Sequence, residues 1–215
     1  MATDAGKIRI WNMALGYVGT RVVSAEDENC EEAVQCALYW DSARRQALRD
    51  YPYNFAQRRA YLAEMALPDV YAVEWAHAYA LPDGWLKVHH LVNAGRSQRG
   101  FPVRAAGYAD SDQGRRIPFL LAANAEGTEM LLTDAAPALI AYTADVPDTS
   151  KFDDLFTGML ARKLAGMIVV ALFKNNTSKV QELAQLYSST LPDSRQANAS
   201  ERKERPVMDS WLAAR

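Results

Sequence analysis

The chain has 215 residues, of which 49% are hydrophobic, with 24 basic and 26 acidic side chains. This length suits one domain, or one domain with a large insertion, and the hydrophobic share is enough to bury a core. A formal net charge of −2 gives no long-range attraction to nucleic acid or to an anionic membrane. The N-terminal residues lack a long apolar run before a small-residue cleavage site, so no signal peptide is predicted.

Two helices are predicted in the first fifty residues. The first covers residues 4–17, where Trp11, Leu15 and Val18 recur at helical spacing. Asn29 and Glu32 have the spacing of a capping box and predict the start of a second helix. Pro52 ends that helix because it cannot donate a backbone hydrogen bond. The apolar stripe of the second helix consists of Ala33, Cys36, Trp40, Ala43, Ala47 and Tyr51.

The two cysteines, Cys30 and Cys36, are six residues apart, so on a helix they point to different faces. We therefore expect them to be two reduced, mostly buried thiols rather than a disulfide. Free thiols suit a protein that is assembled in a reducing cytoplasm.

From about residue 70 to residue 143 the sequence predicts β-structure, because prolines and glycines separate short apolar runs. Two such runs, 119–123 and 129–132, flank a turn at residues 124–127 and predict a hairpin. Exposed loops are predicted at residues 95–100 and 108–116. The other strand candidates are residues 73–81, 85–92, 101–105 and 139–143.

Helical spacing returns at Ser150. Asp153 and Asp154 fall in the first turn of the third helix, where the helix dipole favours acidic side chains. Its most apolar stretch, residues 164–173, is about half the length that a membrane span needs, so a buried helix is predicted. Ser178 and Gln181 form a second capping box that opens a fourth helix, and Pro192 is expected to interrupt it.

These elements predict an α+β fold with a four-helix bundle core, built from the N- and C-terminal helices, and a β-rich insertion. The predicted domains are residues 1–68 with 146–192 as one discontinuous helical bundle, residues 69–145 as the insertion, and residues 193–215 as a C-terminal arm. The arm is polar at first and then contains Trp211 and Leu212. These side chains either fold back on the bundle or dock on a neighbouring subunit or partner.

No catalytic, cofactor or metal site is predicted. His77, His89 and His90 do not have the spacing of a zinc site. The sequence contains no nucleophile elbow and no phosphate-binding glycine loop. Because catalytic residues can meet only in the folded chain, a small enzyme with dispersed catalytic residues stays an alternative.

An arginine cluster lies in the β-rich insertion. It is either a solvated loop face or a contact for an acidic partner or for DNA passing nearby. Few aromatic residues lie among these arginines, so a dedicated nucleic-acid reader is not favoured. The cluster consists of Arg96, Arg99, Arg104, Arg115 and Arg116.

Several blocks of the sequence match a known pattern in order and spacing. The first block is Ile10-Trp-Asn-Met-Ala-Leu15, followed by Gly19 and Val23-Ser24. The second is Tyr51-Pro52-Tyr53-Asn54-Phe55-Ala56, followed by Arg59 and Leu62. Later blocks are Tyr79-Ala-Leu-Pro-Asp83, Ala141-Tyr142 with Asp145, and Phe152-Asp153 with Phe156. Together they resemble tail tubular protein A and the related head–tail connector (adaptor) proteins of short-tailed bacteriophages, over most of residues 8–190. Tyr53 stands where the family usually has tryptophan, and Pro192 falls where relatives usually continue a helix.

The resemblance implies a structural virion protein without enzymatic activity or cofactor. It implies a homo-oligomeric ring, dodecameric like the portal, that binds below the portal protein in the neck of the virion. Such a ring continues the DNA channel without sequence-specific binding and offers its lower face to the tail nozzle and fibre proteins. The resemblance further implies that the ring is assembled in the host cytoplasm and has no membrane partner.

The resemblance also implies roles for particular residues. Phe55 is expected in the core and Asn54 in a turn. The full set of expected structural residues is Asn12, Pro52, Asn54, Phe55, Pro82 and Asp83. The expected partner contacts are Arg96, Arg99, Arg104, Arg115, Arg116, Trp211 and Leu212. The alternative function is a DNA-packaging accessory or nucleic-acid-binding protein.

Overall fold

The computed structural model of the chain describes residues 4–92, 117–173 and 177–200. These residues form an α+β fold, with four helices and two antiparallel sheets in the described ranges. The helices are α1 (Ala5–Val18), α2 (Glu31–Asp50), α3 (Asp154–Leu172) and α4 (Thr177–Ser200). The strands are β1 (Gln57–Tyr61), β2 (Glu64–Met65), β3 (His77–Ala80), β4 (Trp85–Val92), β5 (Leu120–Ala123), β6 (Glu129–Thr133) and β7 (Leu139–Ala144). Two short 3-10 helices, Asn54–Ala56 and Thr149–Lys151, follow α2 and precede α3.

The described residues form two compact units. The helical unit contains residues up to Gln57 and from Thr143 to Ser200, and the β-rich unit contains Arg58–Tyr142. The sequence-based division placed these boundaries after residues 68 and 145. The first boundary of the structure lies earlier because the chain enters β1 directly after the 3-10 helix, at a position where no strand was predicted.

The helical unit is organised around α3, which packs against α1, α2 and α4. Eight side chains of α3 are buried, from Phe156 to Val169. The predicted four-helix bundle core from terminal helices is wrong: two helices precede the β-rich middle and two follow it, with α3 as their common partner. The physical reason is the wide apolar face of α3, which packs against all three other helices.

Among the described residues, α3 alone is long and apolar enough to span a membrane by length and composition. A core helix passes the same test, and 44% of the apolar window of α3 is buried inside the protein. Its contacts with three other helices account for this composition.

The helix ends follow local chemistry, with one correction. Asp4 caps α1, because its carboxylate accepts hydrogen bonds from the backbone N–H groups of Gly6 (3.0 Å) and Lys7 (3.2 Å). The predicted cap of α2 at Asn29 is wrong. Cys30 takes that position, and its Sγ accepts from the N–H of Ala33 at 3.4 Å. A thiol in this place occupies the position of a serine hydroxyl.

The predicted interruption at Pro192 is also wrong, since α4 continues through it to Ser200. A proline inside a helix removes one backbone donor. In the preceding turn, hydroxyl groups donate to backbone carbonyls: Ser188 to Gln185 at 2.9 Å, and Thr190 to Leu186 at 3.0 Å. Serine and threonine side chains inside a helix commonly bond in this way to carbonyl groups of the preceding turn.

The β-rich unit contains a three-stranded sheet in the order β1-β7-β4 and a four-stranded sheet in the order β2-β3-β6-β5. The core of the second sheet is formed by Ala78, Met130 and Leu132, with Tyr71 and Trp75 packed against it. β4 has the predicted bounds, whereas β3 is shorter than the predicted segment 73–81. β1 and β2 were not predicted, and the candidate strand at residues 101–105 lies outside the described residues.

The predicted hairpin is confirmed as β5 and β6. Their antiparallel register pairs Leu120 with Leu132 and Ala123 with Glu129. Its turn is held by Asn124, whose Oδ1 accepts hydrogen bonds from the backbone N–H groups of residues 126 (3.0 Å) and 128 (2.8 Å). This side-chain bonding is the reason that asparagine favours turns.

Candidate interaction surface

The helical unit has an open groove of about 460 Å³ beside the first turns of α2. Val34, Ala37 and Leu38 form its helical side, and the loop of residues 26–29 forms the other side. Val34 and Leu38 are 57% and 67% exposed. Their exposure follows from helical spacing, since Ala33, Cys36 and Trp40 turn the opposite face of α2 into the core. We call this feature the α2 groove.

The loop beside the α2 groove is held by polar contacts. Glu28 accepts from the backbone N–H of Ser24 and from the guanidinium of Arg21, both at 2.7 Å. Glu26 forms an ion pair with Lys7 of α1. The acidic side chains of the groove therefore lie on a fixed loop rather than on a free chain end.

Charge is segregated along α2. Six acidic residues and no basic residue lie between residues 24 and 41, around the N-terminal half of the helix. Basic side chains follow in the second half at Arg44, Arg45 and Arg49. This arrangement complements the helix dipole, and it also makes the surface around the groove acidic.

Asn12 connects α1 to the loop that leads into α2. Its side-chain amide donates to the backbone carbonyl of Val23 at 2.9 Å, and its Oδ1 accepts from the N–H of Val23 at 2.8 Å. Val23 is buried. The amide thus satisfies both backbone groups of a buried residue and joins α1 to the loop.

The segment after α2 forms an aromatic cluster with α3. Tyr53 is fully buried, and its ring centroid lies 4.9 Å from that of Phe156 and 5.7 Å from that of Phe55. Phe55 is half-buried and lies 5.1 Å from Phe156. Pro52 precedes this cluster, and Asn54 begins the 3-10 helix that turns the chain towards β1. The block from Tyr51 to Ala56 therefore joins α2 to the central helix.

Pro82 and Asp83 lie in the short connection between β3 and β4. The carbonyl of Pro82 accepts from the N–H of Trp85 at 3.4 Å, and Gly84 has a φ of +67°. A positive φ of this size favours glycine. Because β3 and β4 belong to different sheets, this turn carries the chain from one sheet to the other.

The expected partner-contact residues lie outside the described residues. This applies to the arginine cluster and to the two apolar side chains of the C-terminal arm. They are Arg96, Arg99, Arg104, Arg115, Arg116, Trp211 and Leu212.

A buried ion pair was missed by the sequence reasoning. The Arg44 guanidinium is 4% exposed and makes a two-pronged contact with the carboxylate of Asp145. A second contact, to Asp41 at 3.1 Å, involves a carboxylate that is 78% exposed. The spacing of Arg44 from Trp40 and Leu48 places it on the buried face of α2, and this was the available signal. No comparable sequence signal pointed to its partner Asp145, which lies 101 residues away.

A second missed group fixes α4. The Lys163 ammonium contacts Asp50 at 2.6 Å and the Tyr187 hydroxyl at 3.2 Å, and that hydroxyl also bonds to Asp50. These three side chains come from α3, α2 and α4, so the group connects three helices. No local pattern relates residues so far apart.

The described residues contain no group of three or more His, Cys, Asp or Glu side chains that could hold a metal ion. Asp153, one of the two adjacent acids of the sequence analysis, is the N-cap of α3 and accepts from the N–H of Phe156 at 2.6 Å. His77 contacts Glu64 at 2.7 Å on the four-stranded sheet. Each of these side chains has a local structural partner.

The two cysteines are expected to differ in reactivity. Burial raises the pKa of the Cys36 thiol to about 12, and the nearby Cys30 and Glu32 add to this effect. Only a thiolate reacts with a disulfide reagent, so Cys36 should react at least about 100-fold more slowly than the half-buried Cys30 at pH 8. The time course of thiol modification by an aromatic disulfide reagent gives both rates. A Cys30→Ser variant should lose the fast phase, and two equal phases in the native protein would contradict the prediction.

The sequence matches no protein-family model, and a comparison with curated proteins finds no significant match.

Proposed function

We propose that this chain is a non-enzymatic subunit of a homo-oligomeric ring that joins the portal of a short-tailed bacteriophage to its tail nozzle. The observation that carries the proposal is the order and spacing of the sequence blocks between residues 8 and 190, which resemble the head–tail adaptor family. No single block is specific, and their succession along the chain supports the proposal.

The places of these blocks in the fold are consistent with a scaffold. Asn12 joins α1 to the α2 loop, the segment around Phe55 joins α2 to α3, and Pro82 leads from one sheet to the other. A ring component acts through its shape and its contacts rather than through a reacting group. Such a protein therefore requires residues that hold its helices and sheets in a fixed arrangement.

The surface of the helical unit also supports the proposal. Val34 and Leu38 expose apolar area beside an acidic loop, and apolar area of this kind is typical of a contact surface. A ring requires two such surfaces on every subunit, one for each neighbour.

We expect the purified chain to form closed rings, either alone or when mixed with the portal protein of the same virus. In negative-stain images the rings should have the symmetry of the portal, and mixing should place them on one end of it. Serum albumin in place of the portal protein is the control for nonspecific attachment.

A chain that stays monomeric both alone and with the portal protein would contradict the proposal. If the monomer instead binds duplex DNA with an affinity that falls steeply with salt, the DNA-packaging accessory becomes the better interpretation. Within the proposed ring, DNA passes through the channel without such binding.

A further inference from the structure

The α2 groove lacks an occupant among the residues that the structure describes. Val34 and Leu38 lie one helical turn apart on the face of α2 that points away from the core. Single exposed apolar side chains are normal on a protein surface. Two branched side chains on consecutive turns beside a groove form a continuous apolar strip, which indicates a place for another surface to bind.

The charge around the groove restricts what can bind there. Asp27 lines the groove, and Glu31 lies one helical turn before Val34 on α2. Both are exposed, and neither makes an ion pair within the described part of the chain. Glu28, beside them, is shared with Arg21. A matching surface must therefore bring a cationic group to the rim together with an apolar side chain for Val34 and Leu38.

A surface of that kind lies on β1, the edge strand of the three-stranded sheet. Arg59 and Tyr61 are two residues apart, so they lie on the same face of the strand. Both are exposed, Tyr61 to 66%. The guanidinium of Arg59 has no partner in the ranges that the structure describes, although Arg59 belongs to the sequence blocks of the resemblance. Tyrosine and arginine, together with tryptophan, are enriched among the residues that dominate binding at interface centres.

We infer that the α2 groove of one copy receives Arg59 and Tyr61 of a second copy. The Tyr61 ring packs on Val34 and Leu38, and the Arg59 guanidinium pairs with the carboxylates of Asp27 and Glu31. The two contact surfaces differ, so each copy can bind one neighbour at each surface, and a closing rotation yields a ring. This inference rests on the proposed ring and adds the contact that would build it.

Charge reversal at the rim tests this contact. The full-length double variant Asp27→Lys with Glu31→Lys should weaken self-association at least about tenfold, measured by sedimentation velocity over a concentration series. A matched control, Glu126→Lys with Glu129→Lys, makes the same charge change on the β5–β6 hairpin and should leave self-association unchanged. Circular dichroism melting curves of all variants verify that each one is folded.

A compensating change identifies the occupant. Adding Arg59→Glu to the double variant restores opposite charges and should recover most of the lost self-association, whereas Arg59→Glu alone should weaken it. If reversal at the rim weakens association but Arg59→Glu does not restore it, the groove binds something other than β1 and the inference is wrong.

The remaining outcomes separate this inference from the proposed function. If the rim variant and the natural chain form rings equally well, the proposed contact is wrong but the proposed ring is retained. A natural chain that forms no ring, alone or with portal protein, overturns the ring and this contact with it.

Discussion

Replacing Phe156 by alanine is expected to lower the free energy of unfolding by about 4 kcal/mol, a large part of the stability of an ordinary domain. Phe156 is fully buried on α3, and its ring centroid lies 4.9 Å from both Tyr53 and Phe152 and 5.1 Å from Phe55. Its removal leaves a cavity where the segment after α2 meets the central helix. Urea unfolding followed by far-ultraviolet circular dichroism measures the change.

Leu155→Ala is the matched control for this substitution. Leu155 precedes Phe156 on the same helix but is 48% exposed, so its loss should cost about 0.5 kcal/mol. Equal effects of the two substitutions would mean that the aromatic cluster does not hold α2 against α3. If the proposed ring contact through the α2 groove is correct, the Phe156→Ala variant should also assemble less well, because a loosened α2 displaces the groove residues.

Removing the charge of Asp145 is the second change with a large expected effect. Asp145→Asn should lower the free energy of unfolding by about 3 kcal/mol, because it leaves the guanidinium of Arg44 buried without its main counter-charge. The exposed carboxylate of Asp41 replaces little of that interaction, since water screens it. The same urea titration measures the loss.

Two further variants show whether burial is the cause. Asp41→Asn should change stability by no more than about 0.5 kcal/mol, because it removes an exposed partner. Arg44→Met combined with Asp145→Leu should recover most of the loss, since no charge then stays buried. If Asp145→Asn and Asp41→Asn have effects of equal size, the pair does not behave as a buried one.

Local patterns in the sequence predicted several elements within one or two residues. α1 and β4 are examples, and the β5–β6 hairpin is another. Apolar residues at a helical spacing or in a short run report which face of a segment is buried, and this information is contained in the segment itself. Turn residues such as Asn124 carry their own hydrogen bonds and are equally local.

Other elements could not be read locally. β1, from Gln57 to Tyr61, has no simple alternation of buried and exposed residues, so it lacks the period that identifies a strand. Pro192 predicted a break that the rest of α4 overrides. Asn29 and Glu32 fit a capping box, but Cys30 takes the cap, because the direction of the incoming loop decides which side chain reaches the N–H groups.

The sequence by itself determined where most of the helices and the hairpin lie and which residues bury one face. The tertiary structure alone decided that α3 is the common partner of the other helices, that Arg44 meets Asp145, and that Val34 and Leu38 border an acidic groove. The physical reason is the separation along the sequence over which each kind of interaction acts. Periodicity and capping act within a few residues, whereas the pairing of Lys163 with Asp50 joins positions 113 residues apart and exists only once the helices have packed.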